Sequence, residues 1–122
     1  MRKLRYTAMA ALAAVGLASA VVPAQAGKRK PVKRTVEVGD YFFSPAKMTV
    51  KRGTIVIWQW PVGGGDGHDV VLTKGPRGVK KWASEVFFAD EQYRRTLKVP
   101  GRYSIVCSRH PDQMKQTITV KR

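Results

Sequence analysis

The sequence predicts an all-β domain, a sandwich or barrel of about eight short strands, behind an N-terminal export signal. Three observations lead to this prediction. Beyond the first apolar run, no segment keeps a 3.6-residue apolar period over the length of a helix. Short β-branched and aromatic segments recur between glycine and proline turn signals. Removing residues 1–26 from the chain of 122 leaves 96, a size that suits one small domain with one core.

Residues 1–26 have the pattern of a secretory signal peptide. Basic residues at the start precede an apolar run from about Ala8 to Val22, and Ala24-Gln25-Ala26 supplies the small-x-small cleavage pattern. A single-span membrane anchor is the alternative, but the run is short for one. We therefore expect an exported protein, periplasmic or extracellular, with no transmembrane segment in the mature chain. The only cysteine is Cys107, so no lipid-anchoring cysteine lies at the cleavage point.

The strands of the first half follow a short basic tail. Residues 27–34, "GKRKPVKR", are predicted to be a solvated flexible tail, with electrostatic tethering to an anionic envelope or an acidic partner as the alternative. The domain is predicted over residues 35–122. Its first strands are, in chain order, the segments around Val36–Val38 and Met48–Val50, residues 54–60 ("TIVIWQW") and residues 68–73 ("HDVVLT"). The segment 54–60 is apolar on both faces, which is typical of a central strand.

Turn signals separate the remaining elements. "GDYFFSPAK", residues 39–47, is predicted to be a turn, and the glycine-rich "PVGGGDG" ends the central strand before His68. The second half has four predicted strands: "SEVFF" (84–88), "QYRRTLKV" (92–99), "RYSIVC" (102–107) and "KQTITVK" (115–121). Residues 74–92 are the least patterned part, and a longer excursion with a helical turn is plausible there.

The mature chain carries a metal-ligand constellation near its C-terminus. The only cysteine, Cys107, one of the two histidines, His110, and a methionine, Met114, form the pattern C-x2-H-x3-M. The other histidine, His68, lies 39 residues before Cys107. Two imidazoles, a thiolate and a weak axial thioether make the blue-copper ligand set. The thiolate stabilises Cu(I), imidazoles accept either oxidation state, and a poor axial donor keeps the potential high.

Strand periodicity points these side chains inward. Tyr103, Ile105 and Cys107 share one face of a strand, and Met114 is in phase with Ile118 and Val120. The alternative is a buried cysteine, two incidental histidines and a packing methionine, which is also how we interpret Met48. That alternative requires the only Cys, both His and a Met to meet at ligand spacing by accident, so we favour the metal site.

These residues carry a resemblance to a known family. The segments "YFFSPAKMTVKRGTIVIWQW", "GHDVV" and "PGRYSIVCSRHPDQMKQTITV" resemble the cupredoxins, specifically the plastocyanin, amicyanin, pseudoazurin and halocyanin group, over about residues 35–121. The resemblance implies an eight-stranded Greek-key β-sandwich that binds one copper ion. It implies one-electron transfer without catalysis, so the protein is not expected to be an enzyme. It implies four ligands: His68, Cys107, His110 and Met114.

Two departures from the family pattern have consequences. Three residues, Pro111-Asp112-Gln113, separate His110 from Met114 where the family often has two or four, and Gln113 is an alternative axial donor. Asp69 stands where the family often has Asn. Its carboxylate can only accept hydrogen bonds when ionised, for which Ser108 is the expected donor, and its charge should lower the redox potential.

The mature charge of +12, from 20 basic and 8 acidic residues, limits the partners. Export, and the lack of a basic stripe interleaved with aromatics, argue against nucleic acid. We expect a monomer that exchanges electrons with redox proteins, docking where His110 reaches the surface amid a weakly polar patch. Basic residues would steer acidic partners there: Arg109, Arg77, Lys80 and Lys81.

Two other functions use the same residues. An envelope protein for copper capture or delivery would need an open site with an exchangeable ion, and storage proteins usually have many more Met or His residues. A thiol enzyme would use Cys107 as nucleophile and His68 or His110 as base, but no oxyanion-hole signature accompanies them. An exported copper electron carrier is therefore the leading interpretation.

Overall fold

The computed structural model describes residues 29–122, and the regular elements in this range are eight β-strands. The predicted signal peptide and the first two residues of the predicted tail lie outside the described residues. The strands are β1 (Lys33–Gly39), β2 (Phe42–Ser44), β3 (Lys47–Lys51), β4 (Thr54–Gln59), β5 (Val71–Lys74), β6 (Gln92–Leu97), β7 (Gly101–Val106) and β8 (Lys115–Lys121). The eight-stranded all-β prediction is confirmed. Between residues 29 and 122 there is no helix that could cross a membrane.

The strands form two four-stranded sheets. The first sheet has the order β2-β1-β4-β6 and the second has the order β3-β8-β7-β5. The pairs β1–β4 and β3–β8 are parallel, and the other neighbours are antiparallel. The strand β4 lies inside the first sheet, as its apolar sequence predicts, and it buries Val56 and Trp58.

The core fills the space between the two inner faces. Alternate residues of facing strands supply it, so the sequence period of two is the packing period. One buried residue of β8 is polar: Gln116, which accepts a hydrogen bond from Trp58 Nε1 at 2.8 Å and donates to the carbonyl of Pro45 at 2.8 Å. These partners satisfy the amide, which would otherwise make burial costly. Met48 packs against this core, as predicted.

The structure differs from the sequence prediction in several segments. The strand β1 begins at Lys33, inside the predicted tail 27–34, because Lys33 and Arg34 pair with β4. The predicted turn 39–47 contains β2, because Phe43 is buried opposite Val38 of β1. The predicted strand 84–88 is not a strand, and the segment contacts the β5 side through isolated bridges such as His68–Phe87. Ladder pairing is interrupted there because the backbone N–H of Val70 donates to the side chain of Ser84. The helical turn considered for 74–92 is absent from this described segment.

Candidate metal centre

Two loops at one end of the sandwich bring the predicted ligands together. The first loop runs from Trp60 to Val70, between β4 and β5, and carries His68. The second, residues 107–114, closes the β7–β8 hairpin and carries Cys107 and His110. Cys107 continues the inward face of β7 and is fully buried, as the strand period predicts.

Backbone hydrogen bonds shape the second loop. The N–H of Cys107 donates to the carbonyl of Met114 at 3.1 Å, which closes the loop. The N–H groups of His110 and Met114 donate to the carbonyls of Cys107 and His110 at 3.2 and 2.9 Å. These tight turns fold His110 back over Cys107, so the ligand geometry rests on main-chain bonds.

The side-chain distances fit one metal ion. Sγ of Cys107 lies 3.9 Å from Nδ1 of His68 and 3.7 Å from Nδ1 of His110, and the three donor atoms lie within 4.8 Å of one another. Metal–sulfur and metal–nitrogen bonds of about 2.3 and 2.1 Å, opened to a trigonal angle of about 120°, would separate the donors by about 3.8 Å. The observed distances match this value. One thiolate and two imidazoles in a trigonal set are the donors that copper takes in electron-transfer sites.

Burial of the three residues is unequal. The relative exposure of Cys107 is 0% and that of His68 is 2%. The side chain of His110 is 18% exposed. An ion held here is therefore shielded from bulk water, and His110 provides the short route from the site to the surface, as predicted.

A carboxylate holds the second nitrogen of His68. Oδ1 of Asp40 lies 2.6 Å from Nε2 of His68, and the same carboxylate accepts the backbone N–H of Asp66 at 3.0 Å. A proton on Nε2 leaves the lone pair of Nδ1 directed at the sulfur of Cys107, as a metal ligand requires. Asp40 thus fixes the tautomer and the ring orientation of His68.

The exposed edge of His110 faces a second carboxylate and a phenol. Oδ2 of Asp66 lies 3.3 Å from Nε2 of His110 and accepts the hydroxyl of Tyr41 at 3.3 Å. The Tyr41 ring lies 4.6 Å from the His110 ring and 5.8 Å, edge-on, from the His68 ring. The backbone N–H of Gly67 donates a hydrogen bond to Asp66 at 2.7 Å, and this bond is the main cause of the lowered pKa of Asp66. The negative charge of Asp66 in turn raises the pKa of Tyr41.

Asp69 joins the two ligand loops. One carboxylate oxygen accepts the N–H of Ser108 at 2.7 Å and the other accepts the Ser108 hydroxyl at 2.5 Å. The predicted hydrogen bond from Ser108 is therefore present. Because Asp69 is buried and follows His68, while Ser108 follows Cys107, these bonds set the two ligands relative to each other.

Met114 and Gln113 differ in burial. Met114 is fully buried and in phase with Ile118 and Val120, as the strand period predicts. Gln113 is exposed, which disfavours the alternative in which its side chain is the axial donor.

The surroundings of His110 differ from the predicted weakly polar patch. Exposed apolar side chains, Val86 and Phe88, pack on Gly67, next to Asp66, at this end. Of the predicted basic residues, only Arg109 belongs to the ligand loops. Arg77 lies at the opposite end, because its neighbour Pro76 packs on Gly101 at the start of β7. Lys80 and Lys81 follow on the segment that returns along the side of the sandwich.

Comparison with known proteins identifies the family. Residues 30–121 match the model of the copper-binding proteins of the plastocyanin/azurin family. The chain is a cupredoxin. His68, Cys107 and His110 form its candidate copper site. The comparison with curated protein sequences gives no match.

Several solved structures of copper proteins resemble this one. A pseudoazurin from Sinorhizobium meliloti is 26% identical, with a TM-score of 0.62, and the match covers 74% of each chain. An amicyanin variant in its Cu(I) form is 22% identical, with a TM-score of 0.64 over 79% of this chain and 88% of that one, a likeness of fold. A copper-containing nitrite reductase from Thermus scotoductus is 28% identical with a TM-score of 0.60, over 78% of this cupredoxin but only 23% of the reductase.

Sequence reasoning missed Asp40, Tyr41 and Asp66. Asp66 stands two residues before His68, so the sequence alone could have predicted that Asp66 lies near the site. Asp40 lies 28 residues before His68, and only the pairing of β1 with β4 brings the two together.

Proposed function

We propose that this cupredoxin is an exported one-electron carrier that holds one copper ion through His68, Cys107 and His110, with Met114 as a weak axial ligand. The observation that supports it best is the arrangement of Nδ1 of both histidines at 3.7 and 3.9 Å from one buried sulfur. When bound, copper supplies the Cu(I)/Cu(II) couple. The protein's part is to keep the ligands fixed in both states, since small ligand movement keeps the reorganisation energy low.

Particular bonds provide that rigidity. Asp40 holds the His68 ring, the Asp69–Ser108 pair ties the two loops, and the main-chain bonds of residues 107–114 set the position of His110. Burial of Cys107 protects the thiolate from oxidants and from water. Met114 is the last residue of this loop and is fully buried, and its thioether is the sulfur donor available just before β8.

The remaining parts of the proposal concern the chain as a whole. Residues 1–26 act as a cleaved signal peptide, and the residues that follow, up to the start of β1 at Lys33, act as a basic tail. The copper domain begins with β1, two residues before the predicted boundary, and works as a monomer in the periplasm or outside the cell. Redox partners dock at the His110 edge. The protein is a carrier and not an enzyme. Cys107 and His68 are buried, so a substrate could reach only the exposed edge of His110.

A copper titration tests the function. Residues 1–122 are expressed, and the N-terminus of the accumulated species is determined by mass spectrometry. The purified protein is then titrated with Cu(II) while the visible spectrum is recorded. We expect an intense thiolate–copper band that saturates at one equivalent and is reversibly bleached by a reductant. Cys107→Ser should abolish the band. Tight Cu(I) binding without a Cu(II) band would instead indicate copper capture or delivery, and binding of neither ion would refute the site.

A further inference from the structure

The outer face of the second sheet is a field of positive charge. Its strand register places Lys47, Thr117, Ser104 and Lys74 in one row that crosses all four strands. Thr49, Thr119 and Arg102 form the next row. Six exposed cations occupy this outer face: Lys47, Lys51, Lys74, Arg102, Lys115 and Lys121. We call it the cationic face.

Carboxylates are separated from this face. The four strands of the second sheet contain no Asp or Glu. The eight acidic residues of the protein lie in or next to the segments at the metal end: Glu37, Asp40, Asp66, Asp69, Glu85, Asp90, Glu91 and Asp112. On most protein surfaces negative charges lie among the positive ones, but the cationic face has none. Its electrostatic potential is therefore positive throughout.

The positive region continues past the edge of the sheet. Next to β3, one cavity is lined by Lys33, Arg34, Lys51 and Lys121. A second, lined by Arg29, Lys30, Lys51 and Arg52, adjoins it. Residues 29–34 thus lie beside the cationic face, at the end of the molecule away from the copper site, and add their charge there.

The layout of the cationic face fits a plane of negative charge. Its row from Lys47 to Lys74 spans three strand spacings, about 14 Å, and Lys115 to Lys121 spans about 20 Å along β8. The cations are spread in both directions over the sheet. A linear polyanion would instead require cations aligned along one groove. Threonines and a serine lie between them, so no bulky group prevents close approach.

Other partners fit the face less well. Docking of a protein needs an apolar centre, and this face offers only the half-buried Val71 and Val106. Single-stranded nucleic acid needs aromatic rings for stacking, and the outward positions of these four strands hold none. A bilayer surface needs only delocalised charge.

We propose that the cationic face binds an anionic phospholipid bilayer. With this face on the headgroups, the strands lie parallel to the membrane and the His110 edge points sideways, free to meet a partner on the same surface. This proposal does not depend on copper, so it can fail or succeed independently of the electron-carrier function.

The test compares two charge-matched triple variants in vesicle co-sedimentation. The face variant carries Lys47→Gln, Lys74→Gln and Arg102→Gln. The control carries Lys80→Gln, Lys81→Gln and Arg94→Gln, which removes three exposed cations elsewhere. Vesicles contain phosphatidylglycerol and phosphatidylcholine in about equal parts, and pure phosphatidylcholine vesicles report any binding through the N-terminal segment. Thermal unfolding establishes that both variants are folded.

The expected results follow from the contribution of each cation. Loss of one cation at an anionic surface should weaken binding by about fivefold, so the face variant should bind about 100-fold more weakly and the control only slightly so. Raising the salt from about 0.01 to 0.15 M should also weaken binding, because the Debye length falls from about 30 to 8 Å. If the face variant and the control variant bound the anionic vesicles equally weakly, the proposal would be overturned, since net charge alone would then explain binding. Failure of the unmodified protein to bind, or face-dependent binding of polyphosphate but not of vesicles, would also overturn it.

Discussion

The carboxylate of Asp40 lies 2.6 Å from Nε2 of His68, although the two residues are 28 positions apart in the chain. Asp66 makes the corresponding, longer approach to Nε2 of His110 at 3.3 Å. Both imidazoles of the copper site therefore have a carboxylate on the nitrogen that faces away from the sulfur. Carboxylates in this position raise the basicity of the imidazole and place negative charge near the metal, and both effects favour Cu(II) over Cu(I).

Replacing Asp40 by Asn should raise the redox potential and weaken Cu(II) binding by about 10- to 100-fold, because the amide neither carries charge nor fixes the His68 tautomer as firmly. Equilibrium redox titration and competition with a chelator measure the two quantities. The matched control is Glu37→Gln, which removes one exposed negative charge from β1. If the control changed the potential as much as Asp40→Asn, the effect would be one of net charge, and the hydrogen bond would have no special part.

Replacing Asp69 by Asn should also raise the potential, since a buried negative charge next to the site is lost. The variant should lose about 1–2 kcal/mol of the free energy of unfolding, because the two bonds from Ser108 are no longer charge-assisted. Denaturant unfolding and redox titration check the two parts. A potential that stayed the same or fell would contradict the electrostatic interpretation of Asp69.

Replacing Met114 by Leu should leave an intense thiolate–copper band but change its position and raise the potential, since the proposed electron-donating axial ligand is removed. The swap conserves volume, so the cost in stability should stay under about 1.5 kcal/mol. Met48→Leu, at the other methionine packed against the core, is the control and should leave the spectrum unchanged. Identical spectra for Met114→Leu and the parent would remove Met114 from the ligand set.

Tyr103 should make stability depend on pH in the alkaline range. Burial raises the pKa of Tyr103 above its ordinary value of 10.0, while its hydroxyl donates to the carbonyl of Val99 at 2.7 Å. Because the folded state favours the neutral phenol, its stabilising contribution is complete below about pH 10 and is lost as the pH rises through the folded-state pKa.

The comparison of parent and Tyr103→Phe isolates this effect. At pH 7 the variant should be less stable by about 1 kcal/mol, the net value of one hydrogen bond. The difference should shrink above about pH 10 as the parent loses stability. Urea unfolding at several pH values measures it, with Tyr93→Phe as the control at a half-buried ring. A difference that did not change with pH would contradict the buried, protonated phenol.

Parts of the fold that depend on local periodicity were predictable. The strand β8 begins and ends where the pattern places it, and Tyr103, Ile105 and Cys107 are all buried on one face. The strand β2 was missed because its three residues follow turn signals, and it is stabilised by burial of Phe43 beside β1, a contact outside the local window. Residues 84–88 have strand composition, but the backbone N–H of Val70 donates to the Ser84 hydroxyl, which interrupts the ladder there.

The sequence by itself determined the all-β class, the candidate ligand types and the inward direction of Cys107 and Met114, because strand alternation and donor chemistry are local properties. Only the tertiary structure decided that Asp40 and Asp66 cap the two histidines. It also decided that the acidic residues gather at the metal end, while one sheet presents six cations to solvent. The reason is that sheet pairing brings distant segments together, and neither the spacing of residues nor the net charge specifies which segments will meet.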